Sequence, residues 1–147
     1  MKALFFILTI MPITFIRHVV NLYIFTGFHK RGELYRITHI NISLCYPSLS
    51  KEEQEKLANE SVVETFISGY ESMLSWSRPI HISGSRIFKI ENNYLLSRNI
   101  KNNNGLIVIA IHNRSVDMLL KWINSKSKTT SLYKKIKNKR LNEFVRK

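Results

Sequence analysis

One cysteine, three prolines and five glycines among 147 residues exclude several classes of protein at once. A lone thiol, Cys45, permits neither an internal disulfide nor a multi-cysteine zinc site. Its apolar setting, Leu44-Cys45-Tyr46, predicts a small buried hydrophobe rather than a reactive group. The few glycines form no phosphate-binding loop and no dinucleotide fingerprint, and no metal-ligand constellation occurs, so neither a cofactor nor a metal is expected. No internal repeat and no Gly/Ser/Pro-rich linker divides the chain, whose length suits one domain. Acidic residues are scarce too. Ten Asp and Glu stand against 23 Lys and Arg, a formal charge of +13, and six of the ten acids fall between Glu52 and Glu71. Such an excess favours polyanions: nucleic acid, an anionic membrane surface or an acidic protein.

Long apolar runs are confined to the N-terminus. Ala3 to Ile16 is mostly apolar and uncharged, and as a helix it would span about 21 Å, short of the roughly 30 Å hydrocarbon core of a bilayer. No small-residue cleavage pattern follows, so a signal peptide is disfavoured. Arg17, His18, Lys30, Arg31 and Arg36 come next and favour a cytoplasmic side. Residues 1–28 are accordingly expected to be an apolar membrane-associated segment, and 29–147 the remaining domain.

Downstream, Leu34, Ile37 and Ile40 or Asn41 recur at helical spacing until Pro47. Ser50 and Glu53 make a capping box for a long helix. Its apolar stripe is Ala58, Val62, Phe66, Tyr70 and Leu74, widened by Val63 and Ile67, with Glu55, Glu60, Glu64 and Glu71 on the other face; the helix is expected to end before Pro79. Residues 80–88 alternate as a strand would, a short helix is expected at about 87–98, and the Asn-rich stretch before Gly105 is a turn signal. Leu106 to Ile111 is a continuous run of the length of a strand buried on both faces. Helical spacing returns in Val116, Leu119, Leu120 and Ile123, then another strand is expected near 130–133, and a basic helix after it. Helices followed by strand, helix and strand predict an α/β sheet.

The run 106–111 delivers His112 at its tip and Asp117 five residues on. At the carboxyl end of a strand, where open α/β sheets bind ligands, a histidine can act as general base. A carboxylate in the first turn of the next helix would accept one imidazole N–H and fix the tautomer. Alone, the spacing is equally that of a loop histidine and an aspartate serving the helix dipole. His18, His29, His39 and His81 lack partners at ligand spacing and are expected in surface or packing roles.

The order of segments resembles the bacterial lipid A biosynthesis acyltransferases, the lauroyl and myristoyl transferases. The resemblance runs from the apolar N-terminus through NISLCYPSLSKEE, GYESMLSW, HISG, NNGLIVIAIHNRSVDM and SLYKKIKNKRLNEFVRK, essentially the whole chain. It implies N-terminal membrane-associated helices followed by the first part of a glycerolipid-acyltransferase-like α/β sheet, incomplete here, so that the C-terminal half is expected to lie beyond residue 147. It implies His112 as catalytic base and Asp117 as its partner. The turn between them reads Asn113-Arg114-Ser115, where relatives commonly carry Gly, Trp or an aromatic residue. The implied reaction moves a fatty acyl chain from acyl carrier protein to a hydroxyl of a lipid A precursor at the cytoplasmic face of the inner membrane. Acyl carrier protein is acidic and the acceptor is phosphorylated amid anionic lipid. Lys134, Lys135, Lys137 and Arg140, with Lys139 among them, are therefore candidate substrate-binding residues.

A different class fits the same charge: a non-enzymatic basic membrane- or nucleic-acid-binding protein. The apolar N-terminus argues against free nucleic-acid binding, and few aromatics interleave with the terminal Lys/Arg cluster, so no nucleic acid is expected as partner.

Overall fold

The computed structural model describes residues 6–87, 89–102, 104–111, 114–132, 134–135, 137–139 and 142–143. Its helices are α1 (Ile13–Phe25), α2 (Glu33–Cys45), α3 (Lys51–Ser77), α4 (Ile80–Ser83), α5 (Asn93–Lys101) and α6 (Val116–Lys126), with 3-10 turns at Phe28–Arg31 and Gly84–Arg86. The chain divides into two compact units, one of residues 10–70 and the other of residues 1–9 with 71–147.

In the unit of residues 10–70, α3 supplies the core. Its N-terminus is the capping box that the sequence predicts: the Glu53 amide donates to Ser50 Oγ at 3.2 Å and the Ser50 amide to Glu53 Oε2 at 2.8 Å. Ala58, Val62, Val63, Ile67 and Tyr70 are buried, a stripe repeating every three to four residues. Phe66 departs from expectation, being 42% exposed. It lies at the margin of the stripe, edge-on to Tyr23 of α1 at 6.0 Å. The acids of the opposite face are not simply solvated. Glu64 pairs with Arg17 at 2.6 Å, and Glu55 with Lys30.

The apolar N-terminal run is not a single helix. Pro12, with φ −61° and ψ 145°, stands before α1, and a turn separates α1 from the residues ahead of it. Pro lacks the N–H that a helix interior needs, so a new helix starts there. Among the described residues no helix is long and apolar enough to cross a membrane. Phe6, Ile7, Ile10 and Phe15 of the run are exposed. Helix α1 ends at Phe25 with Thr26 as its C-cap, and Gly27 follows with a φ of +74°, the left-handed conformation that glycine adopts without a Cβ penalty.

In the other unit, the last turns of α3 pack with α4 and α6 about Leu74, Ser75, Ser83, Met118 and Ile123. Arg78 secures the N-terminal residues, donating to Thr9 Oγ1 at 3.0 Å and to the Phe6 carbonyl at 2.9 Å, its guanidinium 3.7 Å above the Phe6 ring.

The expected α/β sheet is absent: among the described residues there is no strand. The segment 106–111 has no regular secondary structure and makes no backbone hydrogen bond among the described residues. Ile107, Ile109 and Ile111 are 83–91% exposed, whereas Leu106 and Val108 are 47% exposed, so the segment keeps a two-residue period without being buried on both faces. A strand is defined by pairing, and the expected partner segments adopt other structures. Residues 80–86 are α4 and a 3-10 turn, because Pro79 presets the helical entry and the amides of Ile82 and Ser83 both bond to its carbonyl at 3.0 Å. His81 is therefore on a short helix, exposed, and not in a strand. Residues 127–132 are irregular, and residue 133 lies outside the described residues. The helix expected at about 87–98 begins later, at Asn93.

Candidate functional site

Asp117 stands in the first turn of α6, the position expected of it. Its Oδ2 accepts a 2.6 Å hydrogen bond from Ser72 Oγ of α3, and its main-chain carbonyl accepts one of 2.9 Å from Ser75 Oγ. The carboxylate is thus oriented through one oxygen. Among the described residues no donor reaches Oδ1. A carboxylate there also suits the positive end of the helix dipole.

Around Asp117 the polar contacts continue. Glu71, whose side chain is only 13% exposed, accepts Arg114 Nε and Nη2 at 3.1 Å each, a bidentate pair, and also accepts from Ser115 Oγ. The planar fork of Arg matches a carboxylate in this geometry. One turn beyond Asp117, the Lys121 amine donates to the Ser75 and Arg78 carbonyls at the end of α3. Those carbonyls have no intrahelical partner, and a cation suits the negative end of that helix. Burial lowers the pKa of the Lys121 amine.

His112 and Asn113 lie outside the described residues, so the separation of His112 from Asp117 is not among the distances above. Arg114, the next residue described, is held by Glu71. Lys134, Lys135 and Lys137 are exposed, and Arg140 lies outside the described residues. The basic helix expected there is represented by a helical bond from the Asn142 amide to the Asn138 carbonyl at 2.9 Å. Among the described residues no cluster of His, Cys, Asp and Glu could hold a metal ion.

A cleft of about 760 Å³ lies in the same unit, lined by Leu96 and Ile100 of α5, Leu106 and Val108 of the irregular segment, and Leu120 and Ile123 of α6. The less exposed side of 106–111 therefore faces a cleft of mixed lining, apolar on the α5 and α6 side and polar along 127–131. Glu71, Ser72 and Lys121 escaped sequence reasoning. Glu71 belongs to the helix face opposite the apolar stripe, and nothing in local spacing links residues 71 and 72 to 114–117.

The remaining histidines have packing or surface roles. His29 is buried, its Nε2 2.8 Å from Asn59 Oδ1 and its ring edge-on to Tyr35 at 5.0 Å. His18 Nδ1 lies 2.6 Å from the Thr14 carbonyl, on an exposed turn. Cys45 is exposed, contrary to the buried position expected from its apolar neighbours. The reason is that α2 turns its apolar side outward.

Compared with known proteins, the whole chain, residues 1–147, matches the family described as bacterial lipid A biosynthesis acyltransferase. No curated protein and no solved structure matches it.

Proposed function

Since the chain belongs to the bacterial lipid A biosynthesis acyltransferases, we propose that it takes part in moving a fatty acyl chain from acyl carrier protein to a hydroxyl of a lipid A precursor, with His112 as general base. The family match over 1–147 carries the reading, and the position of Asp117 in the first turn after His112 supports the assignment of roles. A nitrogen of His112 takes the proton of the acceptor hydroxyl as its oxygen attacks the thioester carbonyl. The C–O bond forms, the C–S bond breaks, and the imidazolium returns the proton to the departing thiolate. Asp117 accepts the other imidazole N–H through Oδ1, holding the tautomer and stabilising the cation.

The apolar side of the cleft beside 106–110, formed by Leu96, Ile100, Leu120 and Ile123, suits the acyl chain of the donor. Lys134, Lys135, Lys137 and Arg140 attract the acidic carrier protein or the phosphates of the acceptor. Residues 1–28 seat the protein on the cytoplasmic face of the inner membrane, which is where an amphiphilic acceptor is found. Basic charge without catalysis would serve a plain membrane-binding protein equally. The family match favours the enzyme.

The test is a thin-layer assay of acylated lipid A precursor, with acyl carrier protein thioester as donor and membranes containing the intact chain. Product that falls when Asp117 is replaced by Asn is the expected result. Absence of product, or product indifferent to that change, contradicts the proposal.

A further inference from the structure

Helix α2 turns most of its apolar stripe outward. At about 100° per residue, Leu34, Ile37, Ile40, Asn41, Leu44 and Cys45 fall within one arc of roughly 140°, which also holds Glu33 at the N-terminal end of the helix. That arc is exposed: Leu34 is 40% accessible, Ile37 and Ile40 46% each, and Leu44 74%. The opposite arc, facing the rest of the unit, is Tyr35, Thr38, His39, Ile42 and Ser43, all more shielded. An amphipathic helix of a water-soluble domain turns its apolar stripe inward and its Thr and His outward. This one keeps Ile42 and Tyr35 inward with Thr38 and His39, and leaves the larger part of its apolar stripe outward.

Helix α1 and the turn that follows it carry the same signature. Phe15, Val19 and Leu22 share one face and are 50–64% exposed, while Ile13, Ile16, Arg17, Val20 and Ile24 are the more shielded side. Between the helices, Phe25 is 87% and Phe28 60% exposed. Around that turn the charge is basic: residues 13–46 contain Arg17, Lys30, Arg31 and Arg36 but a single acid, Glu33. Arg17 and Lys30 are paired with acids of α3, and Arg31 lies 5.5 Å over the Phe28 ring.

We infer that α2, together with α1 and the Phe25–Phe28 turn, lies in the interface of an anionic bilayer, its outward apolar arc among the acyl chains and Arg31 and Arg36 at the phosphates. Exposed apolar faces beside basic residues are what a helix lying in the plane of the interface presents, and neither helix is long enough to cross. Lys and Arg stems cover apolar surface while their heads reach the headgroups. The inference rests on the membrane reading of residues 1–28 and carries the contact on to a second helix. It needs no assumption about acyl transfer.

The test uses the intact chain and its only cysteine. Cys45 is exposed on the outward arc, so a nitroxide attached there reports depth without a substitution. With vesicles of phosphatidylethanolamine and phosphatidylglycerol, the label should become accessible to oxygen and shielded from a water-soluble nickel chelate. A label at Thr38→Cys in a Cys45→Ser background should not. Ile37→Asp with Leu44→Asp should weaken partition into these vesicles by about tenfold or more, as should Val19→Asp with Leu22→Asp. All four positions are already exposed, so helical circular dichroism should be unchanged. If only the α1 pair weakens binding and the Cys45 label stays in water, the reading of residues 1–28 survives and this inference fails. If neither pair matters, both fail. A label shielded without lipid, with a doubled mass by light scattering, would assign the face to a second copy of the chain and overturn the inference. Equal partition into phosphatidylcholine vesicles would overturn the anionic assignment.

Discussion

Ser72 donates a 2.6 Å hydrogen bond to Oδ2 of Asp117, joining the penultimate turn of α3 to the first turn of α6. If Asp117 orients His112 through Oδ1, Ser72 is a positioning residue for that carboxylate. A hydrogen bond to a charged group is worth about 1.5–3 kcal/mol. Ser72→Ala should therefore lower kcat by about tenfold to a hundredfold with little change in KM, and Ser72→Thr should restore much of the rate. Steady-state kinetics of both variants check this. A Ser72→Ala effect confined to KM would assign the hydroxyl to substrate binding instead.

Acid should weaken the unit of residues 10–70 through two glutamates. The Ser50 amide, with the Ser50 hydroxyl, lowers the pKa of Glu53 from 4.5, and the hydrogen bond from Lys30 lowers that of Glu55 from the same value. Because the folded pKa lies below the unfolded one, the unfolded chain binds more protons in the interval between them, and stability rises with pH there. The contribution is fully present above about pH 4.5 and is lost as pH falls through the lowered values. Melting temperatures recorded from pH 6 to 3, as round working limits about that reference value, should fall less steeply for Glu53→Gln and Glu55→Gln than for the parent protein.

Ile67 is fully buried at the centre of the α3 stripe. Ile67→Ala should cost about 2–5 kcal/mol of stability, from lost burial and the cavity left behind. Phe66→Ala, one residue along but at the exposed margin, should cost less. Urea denaturation followed by circular dichroism distinguishes the two.

That contrast shows where the sequence was informative. The capping box of Ser50 and Glu53 is a contact across three residues, and the α3 stripe is a repeat, so both are legible locally. A strand is not. The run 106–111 has the composition of one, but pairing depends on a second segment, and 80–86 is helical for a reason as local as Pro79. The period of α2 was legible and its sense was not: Leu34, Ile37 and Leu44 specify a stripe without saying what lies against it. Cys45 was misread for the same reason. Glu71 meets Arg114 and Ser72 meets Asp117 only through tertiary packing, which no spacing announces, whereas the position of Asp117 followed from the helical rhythm beyond Ser115.

Lys134 and Lys135 are exposed, so their proposed role is one of long-range attraction. Replacing both by Ala should raise KM for the acyl carrier protein thioester or the acceptor and leave kcat nearly unchanged. Raising salt should shrink the difference from the parent protein, because exposed charges are screened beyond about 8 Å at physiological ionic strength. A salt-independent loss of kcat would contradict the role.

The most direct measurement is acyl transfer to lipid A precursor by His112→Ala, with acyl carrier protein thioester as donor and product resolved by thin-layer chromatography. General-base assistance is typically worth about 10²–10⁴-fold in rate, so the variant should lose at least about a hundredfold while keeping its fold and its membrane partition. Product formed at close to the parental rate would remove His112 as the base and contradict the account.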